Sequence, residues 1–227
     1  MALDTRPNEQ ARIIVTVDAV PMTVLNGKLC VLVSKRGEEP FAGREALIGG
    51  YVRAEEDIDA EATVSRVLAR KAGLSGIFLE QLRTFSGPLR DPRGWSLSVA
   101  YFALVPYVRL EGALGEGMAL RPADAPGELA FDHNGIVATA LERVRGKGAY
   151  STLPARLLPT RFTLTELRRT YEVVLGEPVD DSSFRRKILG LGIIQEIPGA
   201  TVNTADARRP ARLYCLKPGT SVFERRI

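Results

Sequence analysis

The chain is poor in the residues that most often build metal centres and cross-links. Its 227 residues include one histidine, His133, two cysteines, Cys30 and Cys215, and one tryptophan. A single histidine excludes a multi-histidine metal site, and two cysteines far apart in apolar stretches are typical of buried free thiols. No run reaches the roughly 18 apolar residues of a membrane span, and the N-terminus has no apolar signal region. We therefore expect a cytoplasmic protein without a membrane partner.

Positive charge is concentrated in the C-terminal third. The formal net charge is +4, yet residues 151–227 contain 13 Lys and Arg against 8 Asp and Glu, whereas the first 150 residues contain 18 against 19. Clustered cations favour nucleic acid, because they displace counterions condensed on phosphates. A solvated basic face explains the same excess, so charge alone does not decide between the two interpretations.

Two apolar segments near the N-terminus predict a β-hairpin. Residues 11–20 and 28–34 are rich in Val, Ile and Leu, and the pair Asn26-Gly27 lies between them. Asn-Gly adopts the left-handed turn conformations that join antiparallel strands. Residues 95–105 predict a third strand, so we expect a sheet in this part of the chain.

Helices and one long loop are predicted around these strands. Residues 57–72 have apolar side chains at helical spacing, and Gly73 stands where a C-cap glycine is expected. The Gly-rich and Pro-containing segment 111–129 predicts a loop. Asp132 or Asn134 offers an N-cap for a further helix, which is expected to run through residue 145.

The C-terminal third has the element order of a winged helix. Residues 163–166, Thr-Leu-Thr-Glu, form a capping box that predicts the start of one helix, and a second helix is predicted near residues 182–189. Two short strands, 193–197 and 211–216, follow around a polar loop. Two helices joined by a short turn and followed by a hairpin are typical of a DNA-binding winged helix.

The outward face of the second helix carries the residue types that bind DNA. Hydroxyl side chains and long cations lie opposite its apolar residues, and more cations follow in the polar loop. Phosphates attract such cations, and base edges accept bidentate hydrogen bonds from Arg. The alternatives are a solvated face and binding to RNA or protein. The candidate DNA-contacting residues are Thr163, Ser182, Ser183, Arg185, Arg186, Lys187, Arg208 and Arg209.

Residues 49–56 and 66–74 resemble the signature box of the Nudix family. The family pattern is G-x5-E-x7-R-E-U-x-E-E-x-G-U, where U is a bulky aliphatic residue. Gly50 and Glu56 match the first part, and Arg66 begins a match to the second part after two extra residues. The resemblance implies a Nudix-like sandwich of helices around a mixed sheet.

The acids that hold metal in an active Nudix helix are replaced in this chain. The resemblance places them at Val67, Arg70 and Lys71, which are one apolar and two cationic residues. Two cations would repel a divalent ion, so we predict no metal site, no catalytic residue and no enzyme activity. The same cations are suited to bind a pyrophosphate, and the alternative is an inert domain kept for dimerisation or its core. The candidate effector-binding residues are Arg36, Gly50, Glu56, Arg66, Arg70 and Lys71.

Taken together, the two modules resemble the NrtR family of Nudix-related transcriptional regulators. The matching segments are 91–104, which contains Asp-Pro-Arg-Gly-Trp, then 157–159 with 162–167, and 184–189. The resemblance implies a homodimeric repressor that binds a palindromic operator in double-stranded DNA. It also implies that the target genes serve NAD metabolism and that the effector is a small nucleotide such as ADP-ribose. No cofactor is expected.

The predicted fold class is α+β, with an N-terminal Nudix-like α/β/α sandwich over residues 1–148 and a C-terminal winged helix-turn-helix domain over residues 149–227. The helix within residues 132–148 is either the element that couples the two domains or an ordinary packed helix. Two other functions are considered. One is a Nudix hydrolase of a nucleoside diphosphate derivative with an accessory basic domain, and the other is a protein-binding scaffold.

Overall fold

The computed structural model describes residues 13–115, 117–203, 209–219, 222–223 and 226–227. No helix in these residues is both long and apolar enough to span a bilayer. Cys30 and Cys215 are free thiols, as the sequence predicts. The helices and strands, in chain order, are β1 (Ile14–Leu25), β2 (Lys28–Lys35), β3 (Glu45–Ala46), β4 (Ile48–Tyr51), α1 (Ala60–Ala72), β5 (Phe78–Gly87), β6 (Ser96–Leu104), β7 (Met118–Pro122), α2 (His133–Gly148), α3 (Leu164–Leu175), α4 (Asp181–Gly190), β8 (Ile194–Val202) and β9 (Ala211–Leu216).

The N-terminal half is built on one mixed sheet. Its strands are ordered β3-β2-β1-β6-β5, with β4 paired to β1 and β7 paired to β2. β1 and β6 are parallel, whereas β1 and β2 form the predicted antiparallel hairpin. Asn26 and Gly27 have φ values of 50° and 71°, as a tight turn between twisted strands requires.

Helices cover both faces of this sheet. Side chains alternate along a strand, so Val17 and Tyr101 face the core formed with α1, whereas Val20 and Phe102 face the core formed with α2. Asp59 caps α1, accepting a 2.7 Å hydrogen bond from the backbone N–H of Ala62, and Gly73 ends the helix in the left-handed conformation. The predicted α/β/α sandwich is confirmed.

Three local predictions are corrected by the structure. Residues 111–129 are not a continuous loop, because β7 within them pairs with β2 and places Leu120 opposite Leu32. The second helix continues beyond residue 145 to Gly148. Asp132 precedes that helix but does not cap it with its side chain, because its carboxylate is occupied by Arg90.

The C-terminal part forms the predicted winged helix. Thr163 and Glu166 form the complete capping box at the start of α3, and α3 ends at Gly176, which has a φ of 73°. The backbones of Phe162 and Tyr214 exchange two hydrogen bonds of 3.0 and 2.8 Å, which form an isolated antiparallel bridge between the segment before α3 and β9.

The two parts share a packed junction. Leu153, Leu157 and Val174 from the C-terminal side belong to the same apolar cluster as α2 and the sheet. A Cβ on Gly148 would lie 2.8 Å from a methyl carbon of Val174, so only glycine allows the end of α2 to approach α3 this closely. The end of α2 therefore packs directly against the winged helix.

Candidate functional site

The second winged-helix helix, α4, separates an apolar face from a polar one. Phe184 and Ile188 are buried in the winged-helix core, whereas Ser182, Ser183, Arg185 and Arg186 are exposed and Lys187 is partly exposed. The carboxylate of Asp180 caps the helix by accepting a 2.8 Å hydrogen bond from the N–H of Ser183. That bond lowers the pKa of Asp180, so the cap is ionised at neutral pH.

The turn between α3 and α4 is held by side chains. Glu172 accepts hydrogen bonds from Arg168 and from the N–H of Val179, the latter 3.1 Å long. Arg168 also donates a 3.1 Å hydrogen bond to the carbonyl of Val179. These bonds fix the direction of α4 relative to α3, so the cations of α4 project from a rigid support.

The remaining predicted DNA-contacting residues fall into three situations. Thr163 is 2% exposed, and its hydroxyl both accepts from the N–H of Glu166 and donates to that side chain, so the structure gives it a capping role. Arg209 is exposed beside β9. Arg208 lies outside the described residues. Arg212 of β9 forms an ion pair of 3.0 Å with Glu196 of β8, which stabilises the wing.

The Nudix-like segment brings β4, the following loop and α1 together. A Cβ on Gly50 would lie 2.8 Å from a methyl carbon of Val67, so glycine is required for β4 to pack on α1. A Cβ on Gly49 would overlap the carboxylate of Asp18. The two glycines therefore place the β4 backbone directly beside the helix that carries Arg70 and Lys71.

The loop before α1 is organised by arginine–carboxylate pairs. Arg66 binds Asp57 in a bidentate pair with N···O distances of 2.7 and 2.6 Å. That pair holds the pKa of Asp57 far below its ordinary value. Glu56 contacts Arg53 at 2.9 Å and Arg70 at 3.1 Å, and hydrogen bonding from Arg53 is the main cause that lowers its pKa.

Asp57 is a site residue that the sequence comparison with the box missed. Glu56 stands at the spacing of the box glutamate, but Arg66 lies 3.8 Å from Glu56 and makes its close ion pair with Asp57, at 2.6 Å. The two-residue insertion before α1 is the signal that could have raised this possibility.

Lys71 of α1 contacts the β4 part of the Nudix-like segment. Its Nζ donates a 2.6 Å hydrogen bond to the carbonyl of Gly49. Partial desolvation, with a contribution from Arg36, lowers the pKa of Lys71. Arg36 itself donates to the carbonyls of Pro40 and Glu38, and its guanidinium carbon lies 4.7 Å from the ring centroid of Phe131.

The six predicted effector residues are thus brought to one region, and this region does not fit a divalent cation. Arg70 and Lys71 occupy the helix face where metal ligands would be needed, and Glu56 is paired with arginines. Within the described residues there is no group of three or more His, Cys, Asp or Glu side chains that could hold a metal ion.

A buried polar network behind the segment was not found from the sequence. Ser98 donates a 2.6 Å hydrogen bond to Asp18, and Arg90 lies between Asp18, at 3.6 Å, and Asp132, at 2.9 Å. His133 is 4% exposed and its Nδ1 accepts a 2.9 Å hydrogen bond from the N–H of Leu47. Burial is the main cause that lowers the pKa of His133, so it is a neutral structural residue at neutral pH.

Two clefts lie between the N-terminal and C-terminal parts, with volumes of about 510 and 460 Å³. Neither is lined by any of the six predicted effector residues. The Nudix-like segment therefore lies outside both clefts, and ion pairs join its own side chains to one another.

Comparisons with known proteins find relatives of both parts of the chain. The model of the NrtR DNA-binding winged helix domain matches residues 154–216. Over 206 residues the chain is 35% identical to the "ADPR responsive transcriptional repressor NtrR" of Acinetobacter baylyi, covering 88% of this chain and 81% of that protein. It is also 34% identical to an ADP-ribose pyrophosphatase of Methanocaldococcus jannaschii, over 113 residues that cover 47% of this chain and 63% of that enzyme.

Solved structures of NrtR from Shewanella oneidensis are similar along the whole chain and over the N-terminal part. The structure complexed with a 27mer DNA has 37% identity and a TM-score of 0.87, covering 94% of this chain and 99% of the other. The structure of its NUDIX domain complexed with ADP ribose has 35% identity and a TM-score of 0.55, covering 62% of this chain and 94% of that domain. The chain belongs to the NrtR family.

Proposed function

We propose that this protein is a transcriptional repressor that binds operator DNA through its winged helix and responds to a nucleotide-diphosphate metabolite, such as ADP-ribose, through its Nudix-like domain. The observation that carries the proposal is the capped, braced helix α4 with Arg185 and Arg186 exposed on its polar face. The relatives named above, a repressor that responds to ADP-ribose and an NrtR complexed with DNA, support it.

The proposed effector site consists of Gly50, Glu56, Arg66, Arg70 and Lys71, with Arg36 beside them. Arg70 donates a hydrogen bond to the carboxylate of Glu56, and Lys71 donates one to the carbonyl of Gly49. A pyrophosphate carries more negative charge than either internal acceptor. It would therefore compete for Arg70 and Lys71 through charge-assisted hydrogen bonds.

In this proposal the protein is not an enzyme, because cations replace the acids that a Nudix hydrolase uses to bind metal. The similarity to an ADP-ribose pyrophosphatase favours hydrolysis as the second candidate function. A magnesium-dependent turnover assay over a panel of nucleoside diphosphate compounds separates the two. Robust hydrolysis that Glu56→Gln abolishes would establish the enzyme and overturn our proposal.

The proposal includes a domain boundary between residues 148 and 149, where α2 ends. It also includes a homodimer on a palindromic operator, because two recognition helices about 34 Å apart would read successive half-sites. Genes of NAD metabolism are the first targets to test. A protein that works on the chromosome of a bacterium acts in the cytoplasm.

The DNA-contacting residues in this proposal are those of α4 and the wing: Ser182, Ser183, Arg185, Arg186, Lys187 and Arg209. Arg208 stays a prediction from the sequence, and Thr163 acts indirectly by fixing the start of α3.

The experiment that tests the function is a binding titration with fluorescent duplexes from upstream of candidate genes, with and without ADP-ribose. We expect sequence-specific, salt-sensitive binding that ADP-ribose changes. Arg70→Glu should alter the response to ADP-ribose while sparing DNA binding in its absence. If no duplex selected from a random pool binds above the non-specific level, the repressor function is wrong.

A further inference from the structure

The cleft of about 460 Å³ lies between the two parts of the chain, and the charged residues that line it are all cationic. On the N-terminal side it is lined by the start of β5 and by residues 106–109, and on the C-terminal side by residues 155–162 and the end of β9. Its charged lining residues are Arg109, Arg156 and Lys217, and no Asp or Glu is among the described residues that line it. Its walls are mainly apolar, as at Phe78 and Leu158.

Arg156 is a cation of this cleft whose guanidinium is only weakly engaged by the described residues. Its guanidinium carbon lies 5.7 Å from the ring centroid of Phe78, and its Nη2 reaches the carbonyl of Gly219 only at 3.5 Å. Its Nε is buried without a hydrogen-bond partner. Arg156 as a whole is only partly buried, and its guanidinium forms no ion pair with any described residue.

The other two cations, Arg109 and Lys217, differ in the hydrogen bonds that their side chains make. Arg109 donates to the carbonyls of Ser75 and Gly76, which are neutral acceptors and leave its charge uncompensated. Lys217 is exposed at the rim, and its ammonium has no ion pair or hydrogen bond with any described residue. Three positive charges therefore face a partly apolar space without a countercharge from the described lining.

The second interdomain cleft provides a contrast. It has a similar volume, about 510 Å³, and it contains Lys28 and Arg145, but Asp124, Glu172 and Glu177 also line it. Its charges are mixed, so it has no comparable preference for anions. The composition of the 460 Å³ cleft is thus a property of that cleft and not of the junction in general.

We propose that the 460 Å³ cleft is a binding site for a small amphipathic organic anion, with its acidic group on Arg156 and Lys217 and its apolar body against Phe78, Val108 and Leu158. The volume lies within the range of ligand pockets, roughly 300 to 1,000 Å³. An apolar lining with a few convergent polar groups is the usual composition of such pockets. This site is separate from the proposed effector site and does not depend on it.

The test uses the full-length protein and the fluorescent anion anilinonaphthalene sulfonate. We expect saturable binding with a blue-shifted emission. Arg156→Gln should weaken it roughly tenfold, because a charge-assisted hydrogen bond is lost. Lys217→Gln, at the exposed rim, should weaken it about two- to fivefold. Lys28→Gln, the matched control in the mixed-charge cleft, should leave the affinity unchanged.

Circular dichroism and the urea midpoint show whether each variant is folded. If Arg156→Gln fails to fold, Lys217→Gln still decides, because the Lys217 side chain is exposed and has no hydrogen bond or ion pair with any described residue. Unchanged affinity in Lys217→Gln overturns the proposal, as does an equal loss in Lys28→Gln. Competitive displacement of the dye by ADP-ribose also overturns it, since the dye would then occupy the effector site. Inorganic phosphate, which lacks an apolar body, should not displace the dye at equal concentration.

Discussion

Replacing Arg185 with alanine tests the proposed DNA interface most directly. Arg185 is exposed on α4, and its side chain has no hydrogen bond or ion pair with any described residue. The substitution therefore removes one guanidinium from each recognition helix without breaking an internal contact, and Ala is a good helix former. The stability of the protein should be unchanged, and only the ionic part of DNA binding should weaken.

The magnitude follows from counting phosphate contacts. Each phosphate neutralised by a cation contributes about 0.9 to the slope of log K against log salt concentration. The proposed dimer would lose two such contacts, so the slope should become shallower by about 1.8. Between roughly 50 and 200 mM salt, wild-type binding should therefore weaken about twelvefold more than binding of the variant.

Fluorescence anisotropy with one labelled operator duplex, at five or more salt concentrations, measures this slope. Arg83→Ala is the matched control, because it removes the same charge from β5, where Arg83 lies 4.3 Å from the Phe85 ring centroid, far along the chain from α4. The control should keep the wild-type slope. An Arg185→Ala slope equal to that of wild type would show that α4 does not face the phosphates, and the interface assignment would be wrong.

Three further predictions concern the specificity of DNA binding, the effector site and the junction. Arg186→Ala should weaken cognate DNA by roughly 1–3 kcal/mol and non-specific DNA by less, if its guanidinium reads a guanine; competition with mutated duplexes measures both. Affinity for ADP-ribose should fall as the pH rises through the lowered pKa of Lys71, because the ammonium is lost there, whereas Lys71→Arg should remove this dependence in calorimetry. Tyr171→Phe removes the 2.7 Å hydrogen bond to the carbonyl of Ser151 and leaves that buried acceptor without this partner, so urea unfolding should show a loss of about 1–3 kcal/mol. An unchanged urea midpoint, or an unchanged pH profile in Lys71→Arg, would contradict the respective assignment.

Local signals in the sequence were sufficient for the elements whose ends they determine. The Asn26-Gly27 pair and the capping box at Thr163 each act within a few residues, and both are confirmed. Gly73 and Gly176 end helices in the left-handed conformation, where glycine carries no steric penalty. These interactions depend little on the rest of the fold, so the sequence pattern predicts them well.

Interactions between distant residues were not predictable in this way. β7 lies among glycines and prolines that favour a loop, and only its pairing with β2 makes it a strand. Asp132 has the spacing of an N-cap, yet Arg90, 42 residues earlier, binds its carboxylate. Glu56 matches the box spacing, yet Arg66 makes its hydrogen bonds to Asp57, the next residue along the chain. In each case a tertiary contact overrides a correct local preference.

The proposed effector site and the winged helix are joined by contacts that leave little room for independent movement. Lys71 holds the carbonyl of Gly49, and Gly49 packs so closely on Asp18 that no side chain fits between them. Asp18 lies 3.5 Å from His133, the first residue of α2. The other end of α2, at Gly148, packs on α3. An effector anion that draws Lys71 away from Gly49 would free β4, which packs on Asp18 and through it contacts α2. A shift of α2 would in turn disturb its contact with α3 of the winged helix. We therefore propose α2 as the element that couples the two parts, because close-packed interfaces shift between discrete arrangements instead of deforming gradually.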